Sequence, residues 1–457
     1  MTPPPSLKPG YFLGQEAMSV ARNALFRRLD PYFKSFLTVE GVRNFFEQIA
    51  GKVDGLDYCC YWYEPADGEM ARKIAEIGRD YGVDMWAGIR WQKQFRDMPV
   101  VPAEYVTWTM DESGQIFPAL WEERNHLFDY LNPQAVDWLL DVLEERYWPY
   151  VKGVVNGFFF PECRITCQVP RGREGLKPWT LHAYSPTVLT KWQAYCAEHD
   201  VRWQGTRVDR FPVPYPHMSG PHPDKTIYVP DNRPAAVPAF TRFADIPRGT
   251  EVWLAWEDFL CGLFHESFVH RIAERVNRYN ADEPDWRGVC FFNNDTTMLD
   301  YRNFKTNIAR TGLMLGYWPQ GRRMGVDIRR LLADPEITCF ISETTQSPSD
   351  YMLYEENYLS HGMELACEYG RQRDYGFMLH YCSSWGHVGG VRHPGGAIMD
   401  DMEEDLRWKM IHKYRPPIFS FHSIPLVLVR EGAWYRKEAA DRFWQRVEDY
   451  KRSFMCI

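Results

Sequence analysis

The chain alternates between short apolar runs and longer segments with a helical period. The runs are rich in aromatic and β-branched residues, and most are apolar on both faces, which is typical of parallel strands buried between a core and a helix layer. Eight such runs occur, at residues 33–39, 56–65, 83–92, 152–162, 287–295, 336–345, 375–385 and 416–429. Eight strands that alternate with helices predict an α/β protein whose parallel sheet closes into a (β/α)8 TIM barrel.

Helical patterns separate these runs. After Asn132 and Pro133, apolar residues recur on one helical face, with Asn132 as a candidate N-cap and Pro133 at the first helical position. Further helical patterns cover residues 41–50, 66–81, 186–199, 253–279, 355–373 and 400–413. Residues 250–256 are also compatible with a strand, in which case each later strand would move up by one place in the barrel.

One connection differs from the others in composition. Nine prolines lie between Pro212 and Pro247, a density that excludes a regular helix or a central strand. We therefore predict that residues 165–250 form a long, ordered insertion over the barrel mouth, after the fourth strand. The catalytic barrel with its insertion is predicted to span residues 1–430. The amphipathic segment 431–457 is predicted to form a helix that packs on the barrel or at a subunit interface.

Charge and cysteine content narrow the class of protein. Lys and Arg number 53 against 61 Asp and Glu, a net charge of −8, which argues against nucleic-acid or anionic-membrane partners. The chain has neither an apolar leader nor a membrane-spanning run, so a cytoplasmic protein without a membrane partner is expected. Eleven scattered cysteines suit reduced thiols. Cys163 and Cys167 have the spacing of half a metal site, but no second pair follows, so neither a metal nor a cofactor is expected.

Two glutamates stand at the ends of apolar runs, where barrel enzymes place catalytic groups. Glu162 ends the fourth run and Glu343 ends the apolar part of the sixth. Desolvation at such a position raises a carboxyl pKa toward the range that a general acid needs. A salt bridge from Glu162 to Arg164, or a helix-capping role for either glutamate, is the structural alternative. Two carboxyl groups on different strand ends are the minimal machinery for hydrolysis of a glycosidic bond.

Aromatic residues make up 16% of the chain, so we expect some of them to line a pocket for a flat, hydroxylated ligand. The candidate substrate-binding residues near the strand ends are Trp62, Arg90, Trp91, Arg164, Asn294, Asp295, His380, Tyr381 and Trp385. Their aromatic rings could stack on a sugar and their polar groups could bind its hydroxyls. Core packing of the histidine and the aromatic residues, and a turn at Asp295, are the alternatives.

Several segments resemble the TIM-barrel glycoside hydrolases of the large retaining clan that includes the family 42 β-galactosidases. The segment NGFFFPE ends in Glu162, residues 184–199 are similar to the helix that follows the acid/base strand, and residues 253–276 are similar to a long helix of that clan. The resemblance implies that Glu162 is the acid/base and Glu343 the nucleophile, with Trp385 on the next strand end.

Two features depart from that clan. Pro161 stands where the clan has Asn, and the nucleophile of the clan lies on the seventh strand. Glu343 meets the second condition only if residues 250–256 form a strand. Otherwise it lies on the sixth strand, and the enzyme would belong to a divergent group that could be inverting.

The leading prediction is a glycoside hydrolase that cleaves an oligosaccharide or glycoside, with a carbohydrate as its substrate. Two alternatives stay open: a barrel that binds carbohydrate without cleaving it, and a metal-assisted hydrolase or lyase that uses His380, His387, His422 and Asp295. Homo-oligomerisation is compatible with the aromatic surplus.

Overall fold

A computed structural model describes the barrel wall and most of the surrounding helices. The described residues are 7–15, 38–59, 65–88, 101–110, 116–118, 120–121, 125–126, 129–160, 166–167, 180–181, 183–203, 205–208, 251–293, 325–343, 363–364, 366–371, 374–380, 401–422, 424, 428–430, 432 and 435–455. Within them, no helix is both long and apolar enough to cross a lipid bilayer.

Eight parallel strands form a closed barrel in which each strand pairs with its neighbours in sequence and the first pairs with the last. The strands are β1 (Tyr11–Gln15), β2 (Gly55–Cys59), β3 (Asp84–Gly88), β4 (Gly157–Phe160), β5 (Gly288–Asn293), β6 (Ile337–Glu343), β7 (Tyr375–His380) and β8 (Ile418–His422). The predicted (β/α)8 TIM-barrel fold is thereby confirmed.

Among the described residues, helices occur where they were predicted at 41–50, 66–81, 186–199, 253–279 and 400–413, whereas the short helices Trp148–Val151 and Ile328–Ala333 were not predicted. The helices of the outer layer are α1 (Val39–Ile49), α2 (Pro65–Asp80), α3 (Pro133–Arg146), α4 (Trp148–Val151), α5 (Pro186–Glu198), α6 (Glu251–Phe264), α7 (His270–Tyr279), α8 (Ile328–Ala333), α9 (Asp401–Tyr414) and α10 (Lys437–Met455). A π-helical turn, His265–Val269, joins α6 to α7, and Ala103–Tyr105 form a 3₁₀ turn. Asn132 caps α3 as predicted, because its side chain accepts a hydrogen bond from the N–H of Gln134.

Short antiparallel strand pairs lie outside the barrel wall. They are Trp108–Met110 with Ile116–Pro118, Leu120–Trp121 with Asn125–His126, Thr166–Cys167 with Thr180–Leu181, and Arg202–Trp203 with Thr206–Arg207.

The first strand lies earlier in the chain than predicted. Strand β1 is Tyr11–Gln15, whereas the predicted run at residues 33–39 ends in the start of α1. Thr38 accepts a hydrogen bond from the N–H of Gly41 and so caps α1, whose buried face includes Phe45 and Phe46. Residues 33–37 lie outside the described residues. The end of that run therefore begins a helix and not a strand, and Val39 is exposed.

The open question at residues 250–256 is resolved in favour of a helix, which begins at Glu251. Val252, Trp256 and Leu260 are buried, and their four-residue spacing places them on one face of a helix. No strand is therefore added between β4 and β5, and Glu343 ends the sixth strand of the barrel.

Large side chains, among them Trp86 and Tyr11, fill the interior of the barrel. The Trp86 indole N–H donates a hydrogen bond to the Tyr11 hydroxyl at 3.0 Å, and that hydroxyl donates to Asp84 at 3.1 Å. The Trp86 ring lies so close to Gly157 that a Cβ there would come within 2.5 Å of it. The absence of a side chain at position 157 therefore makes room for the indole.

Helix α10 packs against the outside of β1 and β8. The Phe443 ring lies 4.5 Å from Phe421 and 6.4 Å from Phe12, between ring centroids, and the Tyr450 ring lies 5.6 Å from Phe419. The predicted boundary at residue 430 stays a prediction, and so does the predicted extent of the insertion.

Candidate active site at the C-terminal edge of the barrel

Five strands that are adjacent in the barrel wall end in polar residues. In ring order these residues are Asn293, Glu343, His380, His422 and Gln15. The strand register places His380 beside His422, and His422 beside Gln15. Because all eight strands are parallel, these ends share the C-terminal edge of the barrel, where barrel enzymes carry their active sites. We call this set of five residues the polar rim.

Glu343 is the last residue of β6 and pairs in register with Met378 of β7. It lies two positions after Ile341, which belongs to the interior cluster of the barrel. Since β6 is the sixth strand, Glu343 does not occupy the seventh-strand position that the resemblance to family 42 requires. His380 ends the neighbouring strand, so two predicted site residues lie on adjacent strand ends.

The other predicted site residues lie beyond the strand ends. The described part of β4 ends at Phe160, two positions before Glu162. Glu162, Trp62, Arg90, Trp91, Arg164, Asn294, Asp295, Tyr381 and Trp385 lie outside the described residues. For Glu343 and His380 the structure describes the backbone.

A buried carboxyl group lies inside the barrel beneath this edge. Asp57 lies in the middle of β2 and is 1% exposed. A Cβ at Gly88 would lie 2.5 Å from Asp57 Oδ1, so the carboxyl group occupies the space in front of that glycine. Within the described part of the chain, Oδ1 has no hydrogen-bond partner. Burial raises the pKa of Asp57 well above its usual range, which favours the protonated acid.

Two thiols lie in the same interior layer. Cys290 and Cys339 are fully buried and pair in register on β5 and β6. Burial raises the pKa of the Cys290 thiol well above its usual range, and Cys339 and Asp57 raise it further. Burial therefore favours the neutral form of both the Cys290 thiol and the Asp57 acid. The interior beneath the polar rim is a region of low dielectric constant that contains hydrogen-bonding groups.

Sequence reasoning misses two of these residues, Asp57 and Gln15. Asp57 is a lone acidic residue among apolar neighbours in the second predicted run, which is the signal that could have identified it. Gln15 is missed because the first strand is predicted at residues 33–39. The apolar triplet at residues 11–13, directly after Pro9 and Gly10, is the signal for the true strand.

Comparison with known proteins gives distant structural likenesses. No family model and no curated protein matches the chain. Among solved structures, the glycoside hydrolase domain of PgaB from Bordetella bronchiseptica is 9% identical, with a TM-score of 0.47 over 90% of this chain and 94% of that chain. An endo-β-1,4-mannanase from Thermotoga petrophila is 9% identical, with a TM-score of 0.44 over 98% and 77%.

A β-galactosidase from the psychrophilic Marinomonas ef1 is also 9% identical, with a TM-score of 0.45 over 96% of this chain and 59% of that chain. At this level of identity and structural overlap, these likenesses carry no conclusion about activity.

Proposed function

We propose that the chain is a glycoside hydrolase in which Glu162 is the general acid and Glu343 is the nucleophile or general base. The observation that carries the proposal is the position of Glu343. It is the final residue of a strand in a closed parallel barrel, within a rim of five polar strand ends. Substrates of such barrels bind at this edge, and a carboxyl group there can act on a bound glycoside.

The wall of the barrel supports a meeting of the two glutamates. One strand, β5, separates β4 from β6, so their backbones lie roughly 10 Å apart at a spacing of about 4.8 Å per strand. The roughly 5–9.5 Å that separates the two carboxyl groups of glycosidases is compatible with this separation of the strand backbones.

In the proposed reaction, the protonated Glu162 carboxyl group donates its proton to the glycosidic oxygen as the bond to the anomeric carbon breaks. The Glu343 carboxylate either attacks that carbon or removes a proton from the water that does so. Trp62, Trp91 and Trp385 are proposed as stacking platforms for sugar rings. Hydrogen bonds to sugar hydroxyls are proposed for Arg90, Arg164, Asn294, Asp295, His380 and Tyr381.

Substitution of each glutamate tests the proposal, with Glu162→Gln, Glu343→Gln and, as a matched control, the exposed Glu198→Gln on α5. Wild type and variants are assayed on a panel of nitrophenyl glycosides and unmodified oligosaccharides. Glu343→Gln is expected to lose about 10²–10⁴-fold in kcat on every accepted substrate. Glu162→Gln is expected to lose far less on nitrophenyl glycosides, because their leaving group needs little protonation. The control keeps wild-type rates.

Two results would contradict the proposal. Unchanged hydrolysis in both glutamine variants would remove the assigned roles. Sugar affinity in calorimetry without turnover by the wild type would make the chain a carbohydrate-binding barrel. For an active enzyme, NMR identifies the anomer that is released first. That anomer distinguishes retention from inversion at the anomeric carbon.

A further inference from the structure

A second cluster of reactive side chains lies in the helix layer. His265 Nε2 is 2.9 Å from Asp334 Oδ2, and His270 Nδ1 is 3.0 Å from the same oxygen. One potential ligand atom from each of the three residues lies within 4.8 Å of the others. Asp334 precedes the first residue of β6 by three positions, so the cluster lies near the N-terminal end of that strand. Strand β6 separates it from Glu343 by roughly 20 Å.

The π-helical turn brings the two histidines together. In a regular α-helix, residues five positions apart point about 140° away from each other around the axis. Here the N–H of His270 bonds to the carbonyl oxygen of His265, which widens the turn. The two rings consequently lie 6.3 Å apart between centroids, and their planes differ by 27°. Such π-turns are rare and are often found at functional sites.

The carboxylate between the histidines is fixed by its surroundings. The Asp334 side chain is 1% exposed, and its Oδ1 accepts a hydrogen bond from the N–H of Glu336 at 2.9 Å. The residue also ends helix α8, since its N–H bonds to the carbonyl oxygen of Leu331. Its orientation is therefore determined before any ion binds, as for metal ligands that are held by outer hydrogen bonds.

The cluster is open to solvent on one side. The His265 side chain is 15% exposed and that of His270 is 43% exposed. An ion can therefore reach the site past His270, and a water molecule can occupy a fourth position.

We propose that His265 Nε2, His270 Nδ1 and the Asp334 carboxylate bind a divalent transition-metal ion of the Zn²⁺ class, with water as the fourth ligand. Imidazole nitrogens select such ions over Mg²⁺ and Ca²⁺. Ligands of a tetrahedral zinc ion at about 2.0–2.1 Å lie roughly 3.3 Å from one another. The separations of 2.9 and 3.0 Å in the cluster are close to this value, so a small outward movement makes room for the ion.

Binding changes the proton positions in the cluster. Each ring nitrogen that now faces the carboxylate must present a lone pair to the ion. Its proton moves to the opposite ring nitrogen, which is Nδ1 of His265 or Nε2 of His270, or leaves to solvent if the ring is protonated. The ion would join the π-helical turn and α7 to the segment before β6, and its binding is independent of the proposed glycosidase activity.

The test uses the full-length chain, stripped with a chelator and titrated with zinc chloride in a calorimeter, with bound zinc counted by mass spectrometry. One zinc per chain is expected, together with a rise in Tm of a few degrees, because the ion binds the folded state. His270→Ala is expected to weaken zinc binding by at least about 10-fold. The exposed His412→Ala on α9 is the matched control and keeps wild-type binding.

Cobalt distinguishes this site from the eleven cysteines of the chain. Cobalt chloride added to the stripped protein is expected to give visible bands of a four-coordinate site without the near-ultraviolet charge-transfer absorption of thiolate ligands. His265→Asn provides a second variant with the same expected loss, and circular dichroism verifies that the variants fold. Absence of stoichiometric zinc, thiolate absorption, or unchanged zinc affinity in folded His270→Ala would each overturn the proposal.

Discussion

Asp57 and Gly88 contact each other inside the barrel so closely that a single methyl group at position 88 would lie 2.5 Å from the Asp57 carboxyl oxygen. This contact joins two neighbouring strands, β2 and β3, beneath the proposed catalytic edge. The glycine leaves the space that the buried carboxyl group occupies.

Gly88→Ala is expected to lower the free energy of unfolding by about 1–3 kcal/mol, because the added methyl group overpacks the interior. The same substitution in an Asp57→Ala background is expected to cost less, since the competing carboxyl group is gone. Urea unfolding of the two single variants and the double variant measures the coupling. Gly262→Ala on helix α6 is a control of opposite sign, because its Cβ would meet only ordinary contacts at 3.4 Å or more. Equal costs in both backgrounds would contradict the contact.

Asp57→Asn is expected to change how stability depends on pH. Burial raises the pKa of Asp57 in the folded state, so the unfolded chain loses this proton first as the pH rises. The contribution of Asp57 is therefore complete below its ordinary pKa and is lost as the pH rises from there to the raised pKa of the folded state. The amide of the substituted asparagine carries no such proton. Measurements of the free energy of unfolding at pH 5, 6 and 7 should show the variant becoming more stable relative to wild type as the pH rises. A stability difference that stays constant with pH would contradict the burial argument.

Asp129 is a second buried carboxyl group, and its effect on stability is expected to end above a defined pH. Burial raises its pKa to about 6, although the Ser185 hydroxyl, at 2.5 Å, opposes the shift. The proton on Asp129 stabilises the folded state fully below the ordinary pKa, and this contribution is lost as the pH rises to about 6. Asp129→Asn should therefore gain about 3 kcal/mol on wild type as the pH rises from about 3 to about 7, and no more above pH 7. A difference that keeps growing from pH 7 to 8 would contradict this assignment.

Arg275→Lys tests the link between helices α3 and α7. The Arg275 guanidinium binds both carboxylate oxygens of Glu144, at 2.5 and 2.8 Å, and reaches Asp141 at 2.9 Å. Lysine cannot form the paired bonds, so we expect a loss of about 0.5–1 kcal/mol in the free energy of unfolding, smaller at high salt. The exposed Arg278→Lys is the control. An equal loss in both variants would show that the effect comes from replacing arginine by lysine in this helix and not from the ion pair.

Phe443→Ala tests how far the barrel depends on its C-terminal helix. The ring is fully buried against Phe12, Phe421 and Trp408. Its removal is expected to cost about 3–5 kcal/mol, as for other buried aromatic residues. Phe454→Ala, at a partly buried position of the same helix, should cost less. Thermal unfolding measures both, and a second transition assigned to α10 alone would show that the helix is a separate unit.

The sequence pattern was sufficient for the barrel because seven of the apolar runs coincide with strands of the closed wall. It failed at β1, since five residues carry little periodicity, and their pairing with β8 and β2 identifies them as a strand. At residues 250–256 composition permits two structures, and burial of Val252 and Trp256 on one face selects the helix.

The site was less accessible to prediction than the fold. Glu343 could be located because a strand end is a local property of the sequence. The proximity of Asp57 to Gly88 depends on strand pairing and was not predictable. The histidine pair was hidden for another reason: residues five positions apart share a face only when a helix contains a π-turn.

The indole of Trp86, which packs against Tyr11 and Gly157, determines whether a small molecule can pass through the barrel. It plugs the barrel axis, which is a solid core and not a channel. A molecule bound at the C-terminal edge therefore cannot pass through the barrel axis, so it enters and leaves on the same side.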